Sequence, residues 1–581
     1  MTPNTQFRDL LAVLRRLPSR RRKQFFLILG LMLLGALAEF VALGAVVPFM
    51  SVMADPAAFL ARQQAGWRLD IVGEVDADRA RVILTIGFLV VVVLAGGMRV
   101  LVSWITVRFS MLVGYDLSIT VYRNLVREDY AFHLNRSSAE LIGAMQKINI
   151  FAQGVLTPVM QALTAVVTVT FIIAALLIIN VTVAVTTFGL ILMLYLTLQF
   201  FFQPIQRRNS VTIAAAQSEK VRLVQEGFGG IRDIIVNGLH AFYINQFGTV
   251  EHALRGRQAE NMFLSNAPKV IVETCLLVLA AAALYVLSGD LNNLTAILPT
   301  AVAFALGLQR MLPYMQLIYR GRAQITGNAA ATSDVLGYLD MTRPLAVSKA
   351  RGQPVDFRRA IELYKVSFRY GAEGAYALED ITLSIPKGSF VGITGKSGSG
   401  KSTLVDIIMG LQTPETGTLR VDDLVIDQTA LPSWRSHIAH VSQSVFLIEG
   451  SIRENIALGV PTAEVDEARL QDVIRLSELT HVVAQLNEGV HTTVGERGAR
   501  LSGGQRQRIG IARALYLNRD VLVLDEATSA LDSDTQDKVM ANIRALERGV
   551  TIISVTHRLN TLTGCDMILE FDKGRVKSDD S

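Results

Sequence analysis

Cysteine is almost missing from this chain: Cys275 and Cys565 are the two in 581 residues, one inside an apolar run and one near the C-terminus. That excludes a disulfide framework, a Cys-rich zinc site and a cysteine-protease centre. No small-residue cleavage site follows a short apolar core at the N-terminus, so the first hydrophobic run is expected to stay as a span. A single basic patch is also lacking. The net charge is +5, but the Lys and Arg residues flank apolar runs, which suits a membrane surface and not nucleic acid. No internal repeat is apparent.

What the chain has is apolar length. Hydrophobic residues make up 51% of it, and the mean hydropathy is +0.37. Most of this sits in the first half, in runs long enough to cross a bilayer. At 581 residues several domains are expected. Residues 1–23 end in the basic block Arg15, Arg16, Arg20, Arg21, Arg22 and Lys23, which predicts a cytoplasmic N-terminus. Residues 24–325 read as a transmembrane domain with six helices. The spans fall at about Gln24–Met53, Val82–Val113, Val155–Ile179, Val181–Phe202, Val270–Leu287 and Leu291–Leu312. The loop after span one carries Asp55, Asp70, Glu74, Asp76 and Asp78 and belongs outside. Ser288-Gly289-Asp290 turns spans five and six outside as well. Asp116–Gln153 and Gln203–Asn266 are polar and too long for turns, so they are expected as helical extensions into the cytosol. Residues 326–355, with Gly327-Asn328, Thr342-Arg343-Pro344 and Gly352-Gln353-Pro354, read as a linker. Strands alternating with helices over residues 356–581 indicate an α/β domain. The fold class is thus a six-helix all-α membrane domain followed by an α/β P-loop domain.

The second half carries the chemistry. Gly395-Lys396-Ser397-Gly398-Ser399-Gly400-Lys401-Ser402 follows an apolar strand and precedes a helix that opens with Thr403. That is the context a P-loop requires, since glycines turn backbone N–H groups inward at a helix N-terminus to cradle phosphates. Lys401 is expected on the β- and γ-phosphates and the Ser402 hydroxyl on Mg²⁺. The alternative for an isolated match is a flexible Gly/Ser loop. Val521-Leu522-Val523-Leu524 ends in Asp525-Glu526, a buried strand presenting two carboxylates at its C-terminal end. Asp525 is assigned to Mg²⁺ and Glu526 to polarising the attacking water. Between the two lies Leu501-Ser502-Gly503-Gly504-Gln505, opening a further helix.

With these residues in order, the chain resembles an ATP-binding cassette (ABC) exporter along its whole length, Leu501–Gln505 matching the family signature. The resemblance implies ATP and Mg²⁺. It places Tyr370 against adenine, Gln443 on Mg²⁺, Glu496 against the intracellular helices, Asp532 in a loop that communicates across the dimer, and His557 on the γ-phosphate. Taken singly, Tyr370 could be a strand aromatic, Gln443 a turn residue and His557 a capped loop histidine. One cassette and six spans resemble a half-transporter. The resemblance therefore implies a homodimer in the bacterial inner membrane, with both termini and the ATPase domain cytoplasmic. Each signature helix, through Ser502, Gly503, Gly504 and Gln505, would complete the opposite site; a second, degenerate chain as partner is the other arrangement. Arg127–Phe132 and Gly229–Ile234 are the two candidates for a short helix docking on a cassette.

Span one also resembles the opening helix of bacterial lipid-linked oligosaccharide flippases. Glu39, Arg99 and Arg310 fall within or near spans, and Lys269 lies at an inner end. A charge at mid-bilayer costs about 2.5–3.5 kcal/mol, so such residues face a wet cavity or each other. One reading makes Arg99 and Arg310, with Lys269 at the mouth, a cavity surface for a phosphate-bearing lipid. The other pairs them with Glu39. An amphipathic substrate such as a polyprenyl-pyrophosphate-linked oligosaccharide follows from the first reading; a peptide or small hydrophobic compound is the rival. An ATP-gated channel or regulator is the alternative class, and Glu526 together with the lack of a regulatory insertion argues against it.

Overall fold

A computed structural model describes residues 8–10, 12–13, 15–54, 77–287, 294–341, 353–371, 374–546, 549–558 and 562–577. The chain divides into two units. One comprises Met1–Glu128 and Asn135–Arg343; the other comprises Asp129–Leu134 and Pro344–Ser581.

The first unit is helical. Its elements are α1 (Ser19–Gly44), α2 (Val46–Ala54), α3 (Ala77–Arg127), α5 (Ser138–Phe151), α6 (Thr157–Ile179), α7 (Val181–Gly229), α8 (Ile231–Val236), α9 (His240–Leu287), α10 (Leu294–Gly327) and α11 (Ala329–Asp340); the short α4 (Tyr130–Leu134) groups with the second unit. Among the described residues, four helical stretches are long and apolar enough to cross a membrane: Ser19–Met53, Arg81–Arg127, Glu140–Ile179 and Val181–Gly229. Their outward faces are bare hydrocarbon, with Val93, Ile178, Met193 and Phe200 each more than two-thirds exposed. In water such a surface would aggregate; in lipid it is solvated. The fifth and sixth expected spans fall in α9 and α10, whose connecting turn Ser288-Gly289-Asp290 lies outside the described residues. So do Asp55, Asp70, Glu74 and Asp76 of the first outer loop.

Span one, Ser19–Met53, carries a one-residue interruption at Ala45. Helix α1 stops at Gly44 and α2 begins at Val46, because the Pro48 ring has no N–H and crowds the carbonyl four residues earlier, that of Gly44. Spans three and four do turn within one residue. Asn180 is extended, and its side chain accepts from Val183 N (3.1 Å), capping α7 as α6 ends. The stretch 326–355 also differs from a plain linker, since α11 occupies Ala329–Asp340. It buries Thr332, Val335, Tyr338 and Leu339, a helical spacing that the flanking Gly and Pro residues obscure. Residues 342–352 lie outside the described set.

Helices approach most closely where side chains are smallest. A Cβ added at Gly321 of α10 would stand 2.6 Å from Ala162 Cβ and 3.1 Å from the Pro158 carbonyl oxygen of α6. One at Gly307 would meet Leu176 at 2.8 Å. The core beside these crossings holds Ile172, Leu176, Ile191, Met311 and Tyr319.

The second unit contains two sheets. An antiparallel sheet has the order β2-β1-β4-β5, made from β1 (Ala360–Phe368), β2 (Leu378–Pro386), β4 (Thr416–Val421) and β5 (Leu424–Val425). The other has the order β10-β9-β3-β8-β7-β6, made from β3 (Phe390–Gly395), β6 (Ile438–Val441), β7 (Val521–Asp525), β8 (Thr551–Val555), β9 (Met567–Asp572) and β10 (Arg575–Val576). Strands β9, β3, β8, β7 and β6 all run parallel. Strands β7 and β8 are buried almost throughout, which is why they read as unbroken apolar runs.

Gly321→Ala should destabilise the membrane unit by about 1–3 kcal/mol through overpacking. Gly189→Ala, where an added Cβ meets nothing within 4 Å, should gain up to about 1 kcal/mol of helix propensity. Melting temperatures of the two variants in one detergent check this; equal shifts would contradict the close crossing.

Candidate active site

Four neighbouring parallel strands end at one edge of the larger sheet, and each delivers a group there. Strand β3 runs into Gly395 and the P-loop, β8 into His557, β7 into Asp525 and Glu526, and β6 into Gln443. The register aligns them: Asp525 pairs with Val555, Val441 with Leu524, and Ile393 with Val555. In parallel α/β sheets the C-terminal strand edge is where ligands bind.

The P-loop is built around positions that tolerate no side chain. Gly400 has φ 103° and Gly395 φ 144°. A Cβ at Gly400 would lie 2.4 Å from the Ala377 carbonyl oxygen, and one at Gly395 2.3 Å from that of Phe571. Helix α12 (Lys401–Ile408) starts directly after this loop, so its first backbone N–H groups face the same space. Lys401 is buried, and its Nζ donates to Gly395 O (2.9 Å) and Lys396 O (2.8 Å). Burial holds its pKa below the ordinary lysine value, although Glu526 and Asp525 pull the other way. Ser399 Oγ is buried with no hydrogen-bond partner. An orphaned hydroxyl and a desolvated ammonium beside a glycine cradle fit a phosphate chain. Lys396, Ser397, Gly398 and Ser402 are exposed around the cradle.

Glu526 sits at the centre of the polar groups. Its backbone is left-handed, φ 47°, and its N–H donates to Val555 O at 3.0 Å. A non-glycine residue held there stores strain that the surrounding bonds must offset. Gln443 Nε2 donates to Glu526 Oε2 (2.7 Å), and His557 Nε2 lies 3.1 Å from Glu526 Oε1. Burial, then the charge of Glu526, raises the pKa of Asp525. Tyr370 packs edge-on against Phe368 and shares a 3.0 Å hydrogen bond between its hydroxyl and Thr403 Oγ1, leaving the ring more than half exposed beside α12. Among the described residues no cluster of three or more His, Cys, Asp or Glu could form a protein cage for a metal. Mg²⁺ in nucleotide sites is held by one or two carboxylates plus phosphate and water, so Asp525 with the neutral oxygens of Ser402 and Gln443 remains a fitting set.

The signature residues stand apart. Ser502 caps helix α13 (Gly503–Leu517): its Oγ accepts from Gln505 N, and Gln505 Oε1 accepts from Ser502 N (2.9 Å), a reciprocal capping box. Asp532 likewise caps α14 (Ser533–Arg544), accepting from Thr535 N at 2.9 Å. Among the described residues, no hydrogen bond of Ser502, Gly503, Gly504, Gln505 or Asp532 reaches the P-loop. Glu496 is exposed beside Gly495, in a short 3₁₀ turn.

Three positions were not legible as site residues. Gln507 is buried and braces the carboxylate strand end: its Nε2 donates to Glu526 O (3.3 Å) and Ser529 Oγ (3.0 Å), while its Oε1 accepts from Ala530 N (2.8 Å). It lies two residues past the signature, where a glutamine reads as helix surface. Arg558 reaches from the β8 edge to Ser529 O (2.9 Å) and Gln536 Oε1 (2.8 Å). Asp406, on α12, has its pKa raised to about 6 by burial and then by Asp525. Helix α4 belongs to this unit, and its Tyr130 is pushed up by burial and by the charges of Asp406 and Tyr370. Of the Arg127–Phe132 segment, the part from Asp129 onward groups with the cassette unit, where it opens α4. The other segment, α8, forms a helix with exposed Ile231, Ile235 and Val236.

Two family models match the chain, "ABC transporter transmembrane region" over residues 26–304 and "ABC transporter" over 378–529. The chain belongs to the ABC transporter family. Its membrane and ATP-binding regions stand in the order of a half-transporter. The chain is 31% identical over 377 residues to the ATP-dependent lipid A-core flippase of Bordetella avium, covering 65% of this chain and 63% of that one. It is 32% identical to that of Bordetella pertussis over 65% of this chain and 60% of that one. The chain thus spans under two-thirds of the length of these relatives. A shorter match, 44% over 213 residues, covers 36% of this chain and 36% of the flippase so named from Cupriavidus pinatubonensis. Its fold is similar to that of a bacterial Atm1-family ABC exporter with ATP bound, at TM-score 0.76 and 22% identity, over 96% of this chain and 94% of that one.

The membrane charges resolve differently from a phosphate-binding cavity. Glu39 is buried and takes both arginines: Arg99 donates through Nε (2.8 Å) and Nη2, and Arg310 Nη1 donates to the other carboxylate oxygen at 2.6 Å. Two cations on one carboxylate leave a single net positive charge; Arg310 donates through Nη1 alone, and the Arg99 side chain stays about half exposed. Of the two readings of these charges, the ion pairs match the one that joins Arg99 and Arg310 to Glu39. Lys269 is exposed on α9.

Asp406 carries a checkable pH dependence. Its folded-state pKa near 6 lies above the ordinary aspartate value, so the folded cassette retains a proton that the unfolded chain releases. The stability it contributes is present at low pH and is lost as pH rises through about 6. Asp406→Asn should therefore raise the cassette melting temperature at pH 7.5 relative to the parent, with the gap narrowing below about pH 6 and closing only as pH falls to the ordinary aspartate value of 3.8. A gap independent of pH would contradict the shift.

Proposed function

We propose that the chain is an ATP-driven half-transporter that works as a homodimer. It moves an amphipathic, lipid-like substrate across the bacterial inner membrane, with both termini and the ATPase domain cytoplasmic. The observation that carries this is the convergence of Lys401, Asp525, Glu526, Gln443 and His557 on one strand edge next to a glycine cradle.

In this reading Gly395–Ser399 and the α12 N-terminus hold the phosphates through backbone N–H groups, with Lys401 as the counter-charge. Ser402, Gln443 and Asp525 hold Mg²⁺. Bound MgATP supplies a phosphoanhydride whose cleavage drives the cycle. Glu526 accepts hydrogen bonds from Gln443 and His557, which aim its carboxylate; it then orients a water and takes up its proton. His557 exchanges this carboxylate for the γ-phosphate. Tyr370 offers its open ring face to the base.

The homodimer accounts for the idle signature. Ser502 and the two glycines behind it have hydroxyl and backbone donors at a helix start, yet no bond of theirs in this chain is made to its own P-loop. A second copy presenting that helix start would complete each site. Helix α4 in the cassette unit suits the transmission of nucleotide state to the membrane helices, since Tyr130 lies within electrostatic reach of both Asp406 and Tyr370.

The lipid-like substrate rests on the named activity of the relatives. With Arg99 and Arg310 paired to Glu39, attraction of a pyrophosphate by free arginines no longer supports the substrate reading. The test is reconstitution of the full-length protein in proteoliposomes with lipid A-core, polyprenyl-pyrophosphate glycans, peptides and hydrophobic drugs, each assayed for ATPase stimulation and translocation. ATP-dependent movement of a lipid, abolished in Lys401→Ala, is expected; stimulation by peptides or drugs alone would overturn the lipid assignment.

A further inference from the structure

Helix α13 holds a cation with no acid at hand. Arg513 is partly buried, burial keeps its pKa below the ordinary arginine value, and no neighbouring carboxylate offsets that. Each of its bonds goes to a neutral oxygen: Nε donates to Asn455 O (2.8 Å), Nη2 to Asn455 Oδ1 (3.1 Å) and Nη1 to Phe446 O (2.9 Å). A desolvated charge without a counter-ion costs stability, and an apolar side chain of that volume costs less. What the arginine adds is a rigid planar fork that ties separate segments together.

The tied segments belong to the site. Phe446 lies three residues past Gln443, whose Nε2 reaches Glu526 Oε2 at 2.7 Å. Asn455 is fully buried in the short helix Ile452–Ile456 and closes the same loop, its Oδ1 accepting from Ile448 N (3.0 Å) and its Nδ2 donating to Ile448 O (3.1 Å). Gly510, one turn before Arg513, packs directly on this loop: an added Cβ there would stand 2.6 Å from Val445 Cγ2. Another turn back, Gln507 bonds Glu526 O, Ser529 and Ala530. Residues three apart on a helix share a side, so one side of α13 holds the Glu526 loop at one end and the Gln443 loop at the other.

We propose that Arg513 is a positioning residue for hydrolysis, fixing the loop that delivers Gln443 so that its amide meets the Glu526 carboxylate. It acts through Gln443 and not on the reacting atoms. The inference rests on the reading of Gln443 and Glu526 as parts of the hydrolytic site and adds a residue to that site. Three bonds from one plane keep helix and loop from sliding past each other, whereas a lysine ends in a point charge on a flexible stem. A misplacement of about 1 Å is enough to cost roughly 10²-fold in rate.

The test uses the full-length protein in nanodiscs with Arg513→Met, Arg513→Lys and Gln443→Ala, and with each Arg513 variant combined with Gln443→Ala. Arg513→Met should lower kcat by roughly 10²-fold while KM for ATP stays within about twofold, and Arg513→Lys should recover part of the loss. In the Gln443→Ala background either Arg513 change should cost less than about threefold further, because the group it positions is already gone. Hydrogen exchange of the nucleotide-free protein gives a reading independent of turnover. Amides 442–448 should exchange faster in Arg513→Met, and those of the P-loop, 395–402, should not. If Arg513→Met loses protection throughout, it has failed to fold, and the same comparisons are made with Arg513→Lys, where kcat is expected about tenfold lower. Losses that multiply in the double variants, unchanged exchange over 442–448, or a raised KM with kcat intact would overturn the positioning role. Gln443→Ala at the parental rate would overturn the reading of Gln443 and this inference with it. A slow Gln443→Ala beside fully active Arg513 variants overturns this inference alone.

Discussion

The site depends on one backbone constraint: Glu526 is the first residue past a buried parallel strand, and it turns there through a left-handed conformation that an L-residue adopts reluctantly. The turn lets Asp525 end the strand while Glu526 faces Gln443 and His557, residues delivered by two other strands of the same sheet. The conformation is held from several sides. Val555 O accepts the Glu526 N–H, and Gln507 bonds the Glu526 carbonyl together with the loop at Ser529 and Ala530. Helix α13 therefore does two things. Its first turn displays the signature, and its fifth residue locks the carboxylate loop to which any signal from a partner would pass.

The membrane unit answers a different demand, that charge in hydrocarbon be compensated. Glu39 is nearly fully buried, and a buried carboxylate is stable only beside counter-charge and hydrogen-bond donors. Two arginines from two other helices supply it, which ties α1 to α3 and α10 through a group that none could bury alone. Arg99 spends Nε and Nη2 on this carboxylate and Arg310 its Nη1.

Much of this could be read from residues in order. The P-loop, the Asp525-Glu526 strand end and the signature are local patterns whose mechanics follow from glycine freedom and strand burial, and they led to the family before any coordinate. The single-residue turn at Asn180 was legible because two apolar runs abut with one capping residue between them. What escaped depends on contacts between distant segments. Gln507 reads as a surface glutamine until Ser529 and Ala530 come beside it. Asp406 is an ordinary helix aspartate until burial and Asp525 raise its pKa. Pairing was the harder case: Glu39, Arg99 and Arg310 were each visible, but whether they face a cavity or one another depends on helix rotation, which span-level hydropathy does not specify. Helix α11 was masked by the Gly and Pro residues around it, which suggested a linker where four buried residues at helical spacing make a packed element.

The claim on which the account turns is that Glu526, aimed by Gln443 and His557, orients and deprotonates the attacking water, while Lys401 and the glycine cradle hold the nucleotide without it. Single-turnover hydrolysis and nucleotide binding by full-length Glu526→Gln in lipid separate the two roles. The account predicts a binding constant for ATP within a few-fold of the parent and a hydrolysis rate lower by roughly 10²–10⁴, the range for losing a positioned base. Hydrolysis near the parental rate, or loss of ATP binding along with it, would contradict the assignment.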